Sequence, residues 1–133
     1  SSADPRRIPD IRHQLGDRYA IFCGVDDLAY ECFSMGAVGW VAGLVVAFPS
    51  ETVRLYELMR AERWADARAL YEWFLPLLHL VIGRKFLQQI KLVEELMGLC
   101  SARVSSPRLL LDEDEARKVR ELVEQALANR PVI

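Results

Sequence analysis

Histidine, lysine and cysteine are scarce in this chain, and each scarcity narrows what it can do. The two histidines, His13 and His79, lie far apart with no ligand spacing to any cysteine, so no metal site is expected. Cys23, Cys32 and Cys100 are odd in number and sit among apolar residues. That pattern reads as reduced thiols of a cytoplasmic protein rather than a disulfide framework. The opening SSADPRR has no apolar h-region, so no signal peptide is expected. The longest apolar run, residues 36–48, is shorter than the roughly 20 residues a bilayer requires, so no membrane partner is expected either. A basic face is also missing. Net charge is −2, and Arg6, Arg7, Arg12 and Arg18 are interrupted by Asp4, Asp10 and Asp17. This is the pattern of a solvated helix face, and no nucleic-acid partner is expected.

What is present is an ordinary globular balance over 133 residues, 52% hydrophobic and 27% charged, enough for one domain with a core. A helix is expected from Asp4 as cap and Pro5 at its first position, with Ile8, Ile11 and Leu15 on one face and Gly16 as the stop. Pro9 conflicts with it by removing a backbone donor. Residues 19–23 (YAIFC) form a short continuous apolar run, the signature of a buried parallel strand. Asp26 or Asp27 then caps a helix through Leu28, Cys32 and Met35, which Gly36 ends. A second buried strand is expected over residues 39–46. Pro49 and Ser50 open a helix carrying Val53, Leu55, Leu58 and Met59. Short strands alternating with helices imply parallel βαβ units, but two strands cannot cover both faces of a parallel sheet.

The second half reads as all helical. Ala67, Leu70, Tyr71, Phe74, Leu77 and Leu78 recur at helical spacing from Trp64 to about Val81, with a kink expected at Pro76. Phe86, Leu87, Ile90, Val93 and Leu96 mark a helix over residues 85–97 that Gly98 stops. After a loop over residues 101–111, Asp112 and Glu115 form a capping box. It opens a helix with Ala116, Val119, Leu122, Val123 and Leu127.

Taken together, five stretches resemble the dihydrodipicolinate synthase and N-acetylneuraminate lyase superfamily. Residues 1–4 (SSAD) look like the end of the family's Lys-Glu-Ser-Ser-Gly-Asp segment. Residues 19–27 (YAIFCGVDD) look like its seventh barrel strand and Gly-Asp-Asp loop. Residues 36–43 (GAVGWVAG) are similar to the eighth strand. Residues 65–77 look like the first helix beyond the barrel. Lys91 and residues 103–109 fall where members carry a Lys and an Arg-x-Pro-Leu stretch. The resemblance implies an α/β fold: the C-terminal part of a (β/α)8 TIM barrel, residues 1–62, with a C-terminal helical extension over residues 63–133 of the same domain. A barrel of this type takes about 250 residues, roughly twice this chain.

It also implies a chemistry. In the family a lysine at the end of the sixth strand forms an imine with a 2-oxo acid, and the protonated imine serves as an electron sink. By the match that lysine stands two residues before Ser1, with the family's tyrosine and its Thr-Thr-Gly turn further upstream. No catalytic residue, metal or organic cofactor is then expected within this chain. Lys85 and Lys118 read as solvent-exposed and Lys91 as structural. Substrate contacts are expected from Gly24, whose missing Cβ lets backbone approach a ligand, and from Val41, Ser1, Asp26, Asp27 and Gly43. Their plain alternatives are a turn glycine for Gly24, barrel core for Val41, helix capping for the aspartates and close packing for Gly43. Ala42 stands where many members have Ser.

The expected function is a class I, Schiff-base lyase acting on a small 2-oxo acid or cyclic imine. Expected partners are the N-terminal half of the barrel and further copies of the chain, since members are commonly tetramers. Residues 73–80 (WFLPLLHL) and 88–92 (QQIKL) look most like the branch that holds 1-pyrroline-4-hydroxy-2-carboxylate deaminase. A synthase or 2-oxo-acid aldolase is the alternative. A non-catalytic helical module over residues 64–128 is a third reading, which leaves two buried-type strands unexplained.

Overall fold

The structure, a computed structural model, describes residues 2–133. Helix α1 spans Arg7–Leu15 and ends at Gly16, whose φ of 59° a side chain rarely adopts. The helix begins two residues later than the Pro5 signal suggests. Asp4 accepts hydrogen bonds from the Arg6 backbone and guanidinium instead of capping the helix. Pro9 is therefore only the third helical residue, where a backbone N–H has no intrahelical partner to lose. Of its expected apolar face only Ile8 is buried; Ile11 and Leu15 stay exposed.

Strand β1 (Phe22–Cys23) pairs in parallel with β2 (Gly39–Trp40), Phe22 opposite Gly39 and Cys23 opposite Trp40. Flanking bonds from Val38 N to Ile21 O and from Val41 N to Cys23 O, each 2.9 Å, extend the contact. Both strands are shorter than their apolar runs. Among the described residues each has a neighbour on one side only, and after Val41 the chain turns into a 3-10 turn, Leu44–Val46. Between the strands a 3-10 turn (Asp26–Leu28) leads into α2 (Ala29–Ser34), and Gly36, φ 99°, reverses the chain. Neither aspartate side chain caps this helix, contrary to expectation.

Helix α3 (Pro49–Arg60) starts on its proline, buries Leu55, Leu58 and Met59, and leaves Val53 exposed. A turn at residues 61–63 leads to α4 (Trp64–Leu78), which contains Pro76 in its last turn and tightens into a 3-10 turn, His79–Val81. Helices α5 (Phe86–Leu96) and α6 (Glu113–Ala128) complete the bundle. One core joins both halves: Leu44, Phe48 and Leu55 pack with Phe74, Leu77, Val93, Val119 and Val123. Aromatic rings pack in and against it, with Trp73 stacked on Phe74 and Tyr30 stacked on Tyr71. A smaller cluster of Ile8, Cys23, Cys32 and Ala37 sits between α1, β1 and α2.

The capping box forms as read. Asp112 Oδ1 accepts from Glu115 N at 2.8 Å, and Glu115 Oε2 accepts from Asp112 N at 2.9 Å and from Lys85 Nζ. The bond from the Glu115 amide holds the Asp112 carboxyl below its ordinary range. A carboxyl lowered on folding contributes stability that is present above its unfolded pKa, about 3.9, and is lost as pH falls through the lowered folded value. Amide exchange at Glu115 is expected to accelerate beyond its intrinsic pH dependence on acidification into that window. In Asp112→Ala the same amide should be fast throughout, with no acid step.

Candidate functional site at the strand ends

The geometry begins with the parallel ladder. Ile21 and Cys23 face the helices, while Phe22, 56% exposed, turns to the open side. The bond from Val41 N to Cys23 O sets Gly24 and Val41 beside one another, one step past the last strand pair. Both are exposed, Val41 at 69%. Two of the expected contact residues are thus brought together at the C-terminal ends of both strands, the end where barrel enzymes bind substrate.

Asp26 joins the two strand ends. Its carboxylate accepts from Gly43 N at 2.9 and 3.0 Å, Leu44 N at 2.8 Å and Trp40 Nε1 at 3.2 Å. The residue is 2% exposed. With both oxygens engaged by protein donors, Asp26 positions the β1 and β2 loops against each other. It also caps the turn that cuts β2 short, across 18 residues of sequence. Gly43 lies against this carboxylate: a Cβ there would meet Val81 Cγ1 at 3.0 Å and Asp26 Oδ2 at 3.4 Å. Close packing accounts for that glycine.

Asp27 leans the other way, toward the helical extension. Its Oδ2 lies 3.8 Å from His79 Nε2, and its Oδ1 is buried without a hydrogen-bond partner. The Tyr71 hydroxyl donates to the Asp27 carbonyl and lies 3.0 Å from Glu31 Oε2. Burial, then the Glu31 charge, pushes the Tyr71 phenol up. Ser1 lies outside the described residues. None of the lysines reaches this region: Lys85 pairs with Glu115, Lys91 with Glu94 at 3.1 Å and Cys100 at 2.9 Å, and Lys118 is exposed on α6. No metal-ligating cluster occurs among the described residues.

Trp40, Tyr71 and His79 were not singled out for the site from sequence. Trp40 stands inside the GAVGWVAG stretch, so an indole donor near a buried carboxylate was a usable signal. The approach of Tyr71 and His79 to Asp27 spans some fifty residues and has no local signature.

The chain belongs to the dihydrodipicolinate synthetase family, which it matches over residues 1–126. It is 29% identical over 117 residues to a 4-hydroxy-tetrahydrodipicolinate synthase of Exiguobacterium sibiricum, covering 87% of this chain and 39% of that protein. A synthase of the same name from Thermomicrobium roseum is 29% identical over 131 residues, covering 98% and 42%. The crystal structure of dihydrodipicolinate synthase from Aquifex aeolicus superposes with a TM-score of 0.86 at 22% identity, covering 99% of this chain and 44% of that one. This chain therefore spans about two-fifths of the length of the relatives it matches. The fold is the C-terminal part of a (β/α)8 barrel plus a helical extension, and no helix among the described residues is long and apolar enough to cross a membrane.

Proposed function

We propose that this chain supplies the last two strand ends of a Schiff-base lyase acting on a small 2-oxo acid or cyclic imine. The observation that carries the reading is the juxtaposition of Gly24 and Val41 at the C-terminal ends of β1 and β2, tied by Asp26. In this reading Gly24 lets backbone approach the substrate and Val41 offers it an apolar wall. The backbone around Asp27 and Gly43 borders its distal part. The nucleophile is a lysine N-terminal to Ser1 in the barrel. Its amine attacks the substrate carbonyl, water leaves, and the imine draws electrons from the bond that breaks or forms. Such chemistry requires neither a metal nor an organic cofactor.

The synthase names of the relatives favour carbon–carbon bond formation over deamination. In the stretches that look like the deaminase branch Trp73 Nε1 donates to Ala126 O and Gln88 Nε2 to Leu109 O, which is packing, while His79 reaches Asp27. A deaminase of cyclic imines is the second reading on that resemblance alone. The partner of the open face is the N-terminal half of the barrel. Phe22, Val38, Val45, Val53 and Tyr56 line an apolar hollow of about 400 Å³ there, and contiguous exposed apolar surface marks an interface. Assembly into a homo-oligomer and a cytoplasmic location belong to the same proposal.

Treating the purified protein with pyruvate and borohydride, then mapping the adduct by mass spectrometry, tests this. One reduced adduct on a lysine outside residues 1–133 is the expected result. No adduct, or an adduct on Lys85, Lys91 or Lys118, would overturn it.

A further inference from the structure

Cys23 and Cys32 are the two buried thiols of the chain, one at the end of β1 and one on α2. Both belong to one small buried cluster with Ile8 and Ala37. Both also line a cavity of about 120 Å³, shared with residues 2–4, Arg7, Ile8 and Ile11 of the α1 region. A water molecule's share of liquid volume is about 30 Å³, so the cavity has room for a water-sized reagent. We propose that Cys23 and Cys32 form a dithiol modification site that hydrogen peroxide closes to an intramolecular disulfide.

The chemistry balances within the site. One thiol loses its proton and its sulfur attacks the peroxide O–O bond, giving a sulfenic acid and one water. The second sulfur attacks the sulfenic sulfur, forming the S–S bond and releasing a second water. Two thiols lose two electrons in all, and the peroxide gains them. Burial, then the neighbouring Cys23, pushes the Cys32 thiol up to about 12. Cys23 is the sulfur whose loss of a proton has a structural consequence, because its S–H donates to Val25 O at 3.2 Å. The disulfide removes that donor beside Gly24, in the segment that leads to Asp26. Oxidation thereby loosens the loop between β1 and the Asp26 tie.

The test reads peptide masses. No Lys or Arg lies between Arg18 and Arg54, so trypsin leaves both cysteines on one peptide, residues 19–54, and Cys100 on another. After graded hydrogen peroxide, unfolding and alkylation with N-ethylmaleimide, the 19–54 peptide should be lighter by two hydrogen atoms and carry no label. Dithiothreitol should restore two labels. Two persisting labels at doses that oxidise Cys100, or a mixed disulfide of either thiol with Cys100, would overturn the proposal. In Cys23→Ser the hydroxyl keeps a donor for Val25 O, and the 19–54 peptide should show no loss of two hydrogen atoms at the same doses.

Discussion

Replacing Asp26 with alanine is expected to cost about 3–5 kcal/mol, because it strands several buried or half-buried donors at once. The Gly43 and Leu44 amides and the Trp40 indole all bond to this carboxylate, and solvent does not reach the site to replace it. A net hydrogen bond to a charged group contributes about 1.5–3 kcal/mol, and these bonds share one acceptor group, so their sum falls short of simple addition. Asp26→Asn keeps one carbonyl acceptor but turns an NH₂ donor toward an amide or the indole, so an intermediate loss is expected. Chemical denaturation of the three proteins checks the order. Imine formation with pyruvate gives a second readout: if Asp26 sets the spacing of the Gly24 and Val41 loops, Asp26→Asn should lose reactivity even where it remains fully folded. Equal stability of all three proteins would show that the tie between β1 and β2 contributes nothing.

Removing the guanidinium of Arg130 is the second large effect. Glu51, in the first turn of α3, is 0% exposed, and its Oε1 accepts from Arg130 Nε while Oε2 has no partner. The Arg130 guanidinium also lies over the Phe48 ring, 5.9 Å from its centroid. Taking one partner from a buried ion pair leaves an uncompensated charge, at about 3–5 kcal/mol for a fully buried pair. Arg130 is 40% exposed, so solvent screens part of the interaction and Arg130→Ala should cost about 2–4 kcal/mol. The companion measurement is Arg130→Ala in a Glu51→Gln background. With the charge gone, the second substitution should cost much less than it does alone. Additive losses in that cycle would mean that Arg130 acts by packing on Phe48 rather than by compensating Glu51.

Much of the helical organisation was legible in sequence because its signals are local. Pro49 opens α3, the Asp112–Glu115 box opens α6 with both reciprocal bonds in place, and the apolar spacing of α4 predicts its buried face residue for residue. Pro9 looked like an obstacle only because the start of α1 was read two residues early. The strands were legible as a parallel pair but not in length: apolar runs report burial, whereas a ladder also needs a neighbour, and Asp26 diverts the chain after Val41. For the site, sequence pattern and resemblance together brought out Gly24, Val41, Asp26, Asp27 and Gly43. The structure then separates them by what each side chain touches. Gly24 and Val41 are open, Asp26 is saturated by three donor groups, Gly43 is packed, and Asp27 turns toward His79.

The sequence by itself determined the order of helices and strands and the family, since both are encoded in periodicity, capping residues or short motifs read within a few positions. The tertiary structure alone decided where the buried charges find their partners. Asp26 meets Leu44 across 18 residues and Arg130 meets Glu51 across 79. Desolvation forces a buried carboxylate to take whichever donors the fold brings near, and no pattern along the chain announces which those are.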